Sequence, residues 1–154
     1  MKKILGLLFV LVIVLSCSND DEESGAPYMS AVIDGSDWKP ITRVTVLDED
    51  KFVITGVTLT GETLVITILG TAEGVYELNL TAVQCGAVYK ETAGTSTEDA
   101  YVSATGEVEL TNVNSSKQEI TGTFSFTVAK GVLNTKTITE GTFRNLAYTI
   151  TGEQ

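Results

Sequence analysis

Glu119-Ile120-Thr121-Gly122-Thr123-Phe124-Ser125-Phe126-Thr127-Val128 alternates along its whole length. A period of two sends Ile120, Phe124, Phe126 and Val128 to one side and Thr121, Thr123, Ser125 and Thr127 to the other. That is a strand with one dry face and one wet face. Burying a phenylalanine contributes roughly 1.5–3 kcal/mol, so Phe124 and Phe126 are expected core anchors. Upstream, Glu107 to Asn112 repeats the pattern. Val108 and Leu110 point inward there, and Glu107, Glu109 and Thr111 outward. Asn114-Ser115-Ser116-Lys117 turns the chain between the two strands.

From Tyr28 onward the chain reads the same way. Tyr28 to Ile33 is a strand, followed by a turn at Asp34-Gly35-Ser36-Asp37, where Asp-Gly is the strongest local signal. Trp38 to Leu47 returns, with Pro40 placing that strand on an edge or at a bulge. Lys51–Leu59 and Thr63–Leu69 form a hairpin around Thr60-Gly61-Glu62. Leu64 to Leu69 is apolar at nearly every position, as in a central strand covered on both faces. Val75–Thr81 and Ala87–Glu91 continue the sheet, and Thr92 to Glu98 is loop-like. Tyr101 to Ser103 leads to a turn at Thr105-Gly106. Lys136–Thr139 and Thr142–Thr151 close the domain, with a bulge near Glu140-Gly141.

No window carries a sustained helical period. About nine or ten short strands with tight connections predict an all-β, antiparallel sandwich or flattened barrel. Thr-Gly at 60–61, 105–106, 121–122 and 151–152 reads as shared turn chemistry. The flanking residues do not repeat, so duplication is not implied.

The first 27 residues are of another kind. Lys2 and Lys3 precede an apolar run from Ile4 to Leu15, and Ser16 stands before Cys17. This is the layout of a cleaved secretory signal. A dozen helical residues reach only ~18 Å, too short for a hydrocarbon core of ~30 Å. The expected organisation is a signal over 1–16, a tether over 17–27 and one β domain over 28–154.

Val14-Leu15-Ser16-Cys17 resembles the processing site of bacterial lipoproteins. The resemblance implies a lipid on the Cys17 sulfur, cleavage before Cys17 and acylation of the new amino group. It thus implies a membrane partner reached through lipid. The acidic run Ser18-Asn19-Asp20-Asp21-Glu22-Glu23 resembles the export signal of Bacteroidetes lipoproteins displayed on the outer face of the outer membrane. Within the domain, three stretches resemble small Bacteroidetes lipoprotein domains of unknown function. They are Ala31-Val32-Ile33-Asp34-Gly35 with Trp38, Gly74-Val75-Tyr76-Glu77-Leu78, and Ile120 to Phe126 followed by Thr137 to Phe143. That family carries no site to transfer.

Composition removes several functions. With the first sixteen residues gone, 138 residues remain, carrying eight basic and twenty acidic side chains, a net charge of −12. Such a balance opposes nucleic acid, which needs a basic footprint. It also opposes an electrostatic hold on anionic lipid. The chain has no histidine, which removes Ser-His and Cys-His nucleophile pairs and histidine metal sites. Cys85 is left as a single thiol with no partner and reads as a small buried apolar residue. Ser36-Asp37-Trp38-Lys39 matches Ser-x-x-Lys, but in a predicted hairpin turn rather than on the helix that motif needs. Glu107 and Glu109 share an exposed face and make a glycosidase pair only formally. Asp48-Glu49-Asp50 lacks the spacing of a calcium loop. No enzyme, cofactor or metal is expected.

The remaining readings are non-catalytic. One is a surface module that binds glycan, peptide or a partner protein, with Trp38, Tyr28, Tyr76, Tyr89 and Tyr101 either stacking on ligand or filling the core. The second is a calycin-like barrel around a small apolar ligand. The third is a scaffold subunit of a surface complex.

Overall fold

Alternation of apolar and polar residues builds ten strands in the computed structural model, which describes residues 25–92 and 99–152. They are β1 (Tyr28–Ile33), β2 (Ser36–Trp38), β3 (Thr42–Asp48), β4 (Lys51–Val57), β5 (Thr63–Ile68), β6 (Gly74–Leu78), β7 (Cys85–Lys90), β8 (Tyr101–Asn114), β9 (Glu119–Lys130) and β10 (Asn134–Thr151). The leader, Cys17 and the acidic run Ser18 to Glu23 lie outside the described residues, as does 93–98 of the predicted loop.

The all-β expectation holds, and the pairings show how the sheet closes. β10 lies beside β3, then β4, β5, β7, β8 and β9 follow in turn, and β9 pairs β10 again. Seven strands thus form a ring. The β1–β2 hairpin extends it beyond β10, and β6 extends it beyond β8. The two seams are short. β7 meets β8 only at Val88↔Val102 and Tyr89↔Tyr101. β3 meets β10 over Thr45–Asp48 and Tyr148–Thr151. These seams sit at opposite ends of the long β8–β9–β10 ribbon, so the barrel is flattened, with β3–β4–β5–β7 lying across that ribbon.

The expected antiparallel pairing holds for every pair but β3–β10, which is parallel. There nearly the whole domain forms the connection, so the length a crossover needs is met. Four expectations are corrected. The predicted strand from Trp38 to Leu47 is broken. β2 ends at Trp38, and the Ile41 amide donates to the Val57 carbonyl at 2.9 Å. Pro40 has no N–H to continue the β1 ladder, so the chain leaves β1 there and crosses to β4.

Thr105-Gly106 is no turn either, because β8 runs unbroken for 14 residues. A Cβ on Gly106 would lie 2.3 Å from the Phe126 ring and 2.4 Å from the Ser125 carbonyl oxygen, so the glycine permits close approach between strands. Gly122 likewise sits inside β9 rather than in a turn. Finally, β5 is covered on one face only. Leu64, Ile66 and Ile68 are buried, while Thr63, Val65 and Thr67 are half-exposed. The predicted bulge near Gly141 is present, between Ile138 and Gly141, and a second follows between Phe143 and Leu146.

Side chains from all sides fill the interior. Phe52, Ile54, Leu64, Ile66, Ile68, Val108, Ile120, Val128, Ile138 and Phe143 have no exposed surface. A cavity able to hold water beside any of them would register as exposure, so the wall around these residues is solid. Phe124 stacks on Phe143 at 6.2 Å, and Phe52 meets Tyr148 edge-on at 5.1 Å, both within the favourable range for aromatic pairs.

Candidate functional site

The aromatic candidates divide by burial. Trp38 is 2% exposed, and its ring lies over the bare backbone of Gly56, where a Cβ would come within 2.5 Å. Tyr89 and Tyr101 are also buried and form a tilted pair at 6.2 Å. The three rings face the core. Tyr76 is half-buried and donates its hydroxyl to the Ala72 carbonyl at 2.7 Å. Tyr28 alone keeps an exposed ring, with the Arg144 guanidinium 5.7 Å from its centre. The aromatics therefore do not assemble into one stacking platform.

Tyr89 and Tyr101 instead anchor a polar latch. The Tyr89 hydroxyl donates to Glu62 at 2.8 Å, and burial together with that carboxylate pushes the phenol well above its usual range. The Lys136 ammonium lies 5.3 Å over the Tyr101 ring and bonds Glu91 at 3.0 Å and Asp34 at 3.2 Å. Its hydrogen bond to Glu91, with a further one to Asp34, raises its pKa. Asp34 sits at φ 47° in the β1–β2 turn and accepts the Thr137 backbone N–H at 2.8 Å, which holds its carboxyl below the usual range. The latch thus ties that turn to β10 and the end of β7.

The other motifs take structural places. Cys85 is buried, its thiol donates to the Tyr76 carbonyl at 3.1 Å, and burial pushes it up to about 11. Lys39 pairs with Asp37 at 3.0 Å on and beside β2, with no helix to stack it on Ser36. Asp48 is held by Lys51 at 2.7 Å. Among the described residues no three carboxylate or thiol side chains gather to hold a metal.

Sequence reasoning identified the outward residues of β8 and β9 but not the surface they form. On the outer side of the β8–β9–β10 ribbon lie three adjoining depressions. One of about 340 Å³ is lined by Glu107, Thr123, Ser125, Glu140 and Thr142. A second, of about 290 Å³, shares Glu107 and Ser125 and adds Glu77 and Asn79. A third, of about 220 Å³, runs from Ser125 across Thr105, Thr127, Thr137 and Thr139. They follow the places where register shifts bend β8 and β10 around Phe124 and Phe126. Glu140 takes a left-handed conformation at the β10 bulge, φ 52°.

Phe124, Phe126, Ile138 and Leu78 also line the furrow, and among its polar side chains, hydroxyls and carboxylates, acceptors outnumber donors. Glu77 and Glu107 stand directly opposite each other on β6 and β8, with Cβ atoms ~4.5–5.5 Å apart, a like-charge arrangement that destabilises a sheet. Asn79 donates to Glu77 at 3.1 Å. The pairing that creates the motif is long-range, so only a prediction of the β6–β8 register could have exposed it.

A second outer surface has the opposite character. Across β3, β4, β5, β7 and β8 the row Val44, Thr55, Val65, Val88, Val102 faces outward in register. The row Val46, Val53, Thr67 runs beside it. Neither row contains a charge.

These features define a flattened, closed β-barrel domain with a packed interior and two unlike outer faces. The chain belongs to the family described as a domain of unknown function, DUF6252, whose profile matches residues 25–147. No curated protein and no solved structure matches it. Among the described residues no helix is long and apolar enough to cross a membrane.

Proposed function

We propose that this chain is a lipid-anchored bacterial surface protein whose β domain binds hydroxyl-rich ligands, glycans first among them, without catalysis. The observation that carries the ligand class is the furrow on β6–β8–β9–β10, where Glu77 faces Glu107 beside Ser125. Two carboxylates in register form an acceptor-rich wall, and sugar hydroxyls are donors that such a wall lacks. The packed interior favours this reading over a barrel enclosing an apolar ligand. No observation favours a scaffold role in particular.

The anchor rests on the sequence. Ile4 to Cys17 carries a lipid-attachment pattern, and the acidic run after Cys17 supports display on the outer face of the outer membrane. Each buried CH₂ of a lipid chain contributes ~0.8 kcal/mol, so several chains on Cys17 hold firmly where one would not. Bacteroidetes lipoproteins are the expected relatives.

One experiment tests both halves. Cells expressing the full chain are fed labelled palmitate, and the detergent-purified protein is titrated with a glycan panel. Label enters the wild type and not Cys17→Ala, and at least one glycan saturates. Glu107→Gln then weakens that glycan about tenfold or more while raising stability by ~0.2–1 kcal/mol, since it removes the like-charge pair. Label in Cys17→Ala overturns the anchor. Saturation unaffected by Glu107→Gln, or fatty acid co-purifying inside the domain, overturns the ligand site.

A further inference from the structure

The outer face of β3–β4–β5–β7–β8, whose two central rows carry no charge, is separate from the furrow and does not depend on its reading. Its central row is Val44, Thr55, Val65, Val88 and Val102, with Val44 52% and Val102 55% exposed at its two ends. Leu64 to Leu69 looks fully apolar in sequence because its outward positions also suit a covered face, yet only the inner one is covered within the chain. An aligned, charge-free array with valines more than half exposed at both ends is the kind of apolar patch from which an interaction surface is built.

We infer that this face packs against the same face of a second copy, related by a two-fold axis. Charge decides the occupant. The chain carries a net charge of −10, so two copies repel through most of their surfaces. The two central rows hold no ionisable group, and here like copies approach without that penalty. A membrane is a poor occupant, because the face carries no aromatic anchor and, of its two corner lysines, Lys51 is already held by Asp48.

The corners are also self-complementary. Asp48 closes the face at the end of β3, beside Lys51. Lys90 closes it at the opposite corner, at the end of β7. Lys39, Lys51, Lys130 and Lys136 are ion-paired within the chain, whereas Lys90 has no ion-pair partner among the described residues. A two-fold axis along the other diagonal sets Lys90 of each copy against Asp48 of its partner, twice. It crosses the two sets of strands near 90°, one of the two usual angles for stacked sheets, and passes near Thr55 and Thr67.

Sedimentation of the full chain in detergent is the test, with disulfide trapping in intact cells beside it. The chain sediments as a dimer. Val65→Lys dissociates it with an unchanged far-UV spectrum, and Lys90→Asp raises the dissociation constant about tenfold. Adding Asp48→Lys to Lys90→Asp restores the dimer. Thr67→Cys, beside the axis, forms a disulfide-linked dimer on oxidation, whereas Thr123→Cys, on the furrow side, does not. Trapping keeps the test decisive if Val65→Lys fails to fold. A monomer at every concentration, or equal trapping by Thr67→Cys and Thr123→Cys, overturns the inference. So does a protein in which Thr67→Cys traps only another protein, or whose face binds lipid vesicles instead.

Discussion

Gly122 shows what a residue can do that its neighbours in sequence do not announce. A Cβ there would lie 2.1 Å from the Glu109 carbonyl oxygen and 2.7 Å from the Phe143 ring. Backbone cannot yield as a flexible side chain does, so the contact fixes how closely β8 and β10 flank β9. Gly122→Ala is expected to lower stability by about 1–3 kcal/mol, the usual range for overpacking, and denaturant midpoints measure it. A midpoint within error of wild type would mean that the strands stand further apart. Sequence alone gave Gly122 the same reading as Gly61, a turn residue. That reading suits Gly61, at φ 90°, and misses Gly122, whose reason is contact with Glu109 and Phe143 on the two neighbouring strands. The alternation that placed Phe124, Phe126 and Val108 in the core needed no such contact. The aromatics were ambiguous for a related reason. Ring identity says nothing about which side of a bent strand faces water, and Trp38 and Tyr89 turned out to face the core.

Strands and turns were legible wherever their cause was local. The β4–β5 hairpin and the β1–β2 turn at Asp34-Gly35 follow the sequence nearly to the residue. What failed was connectivity. β2 and β3 look like one strand until Pro40 is seen to hand the chain from β1 to β4. The parallel β3–β10 pair joins segments about a hundred residues apart and leaves no local mark. The Asp34 latch is likewise long-range and has a pH signature. Its carboxyl is held below the ordinary value of 3.8, chiefly by the Thr137 N–H and also by Lys136. A depressed carboxylate contributes stability that is present above the unfolded value and lost as pH falls through the folded one. Denaturation curves between pH 7 and 2 should therefore show Asp34→Asn weaker than wild type at neutral pH, with the gap closing below about pH 4. A constant gap down to pH 2 would remove the latch from the account.

At the scale of the molecule, closure decides which surfaces are on offer. Because the ring of seven strands closes on a packed core, the described residues present two unlike outer surfaces, the acidic hydroxyl furrow and the valine face. Sequence composition shows an acidic, histidine-free chain. It could not foresee that the two outer faces would differ so sharply in charge. That difference depends on which strands become neighbours.

The seam between β3 and β10 tests closure most directly. Val46 and Thr149 are parallel partners across it. The double variant Val46→Cys, Thr149→Cys should oxidise to a disulfide and bridge a loop of roughly a hundred residues, which raises stability by ~4–5 kcal/mol in the chain-entropy treatment. The measurement is the unfolding midpoint of that variant, oxidised against reduced. A higher midpoint when oxidised is the expected result. Thiols that stay free in the folded protein, or a midpoint that drops on oxidation, would contradict a closed barrel.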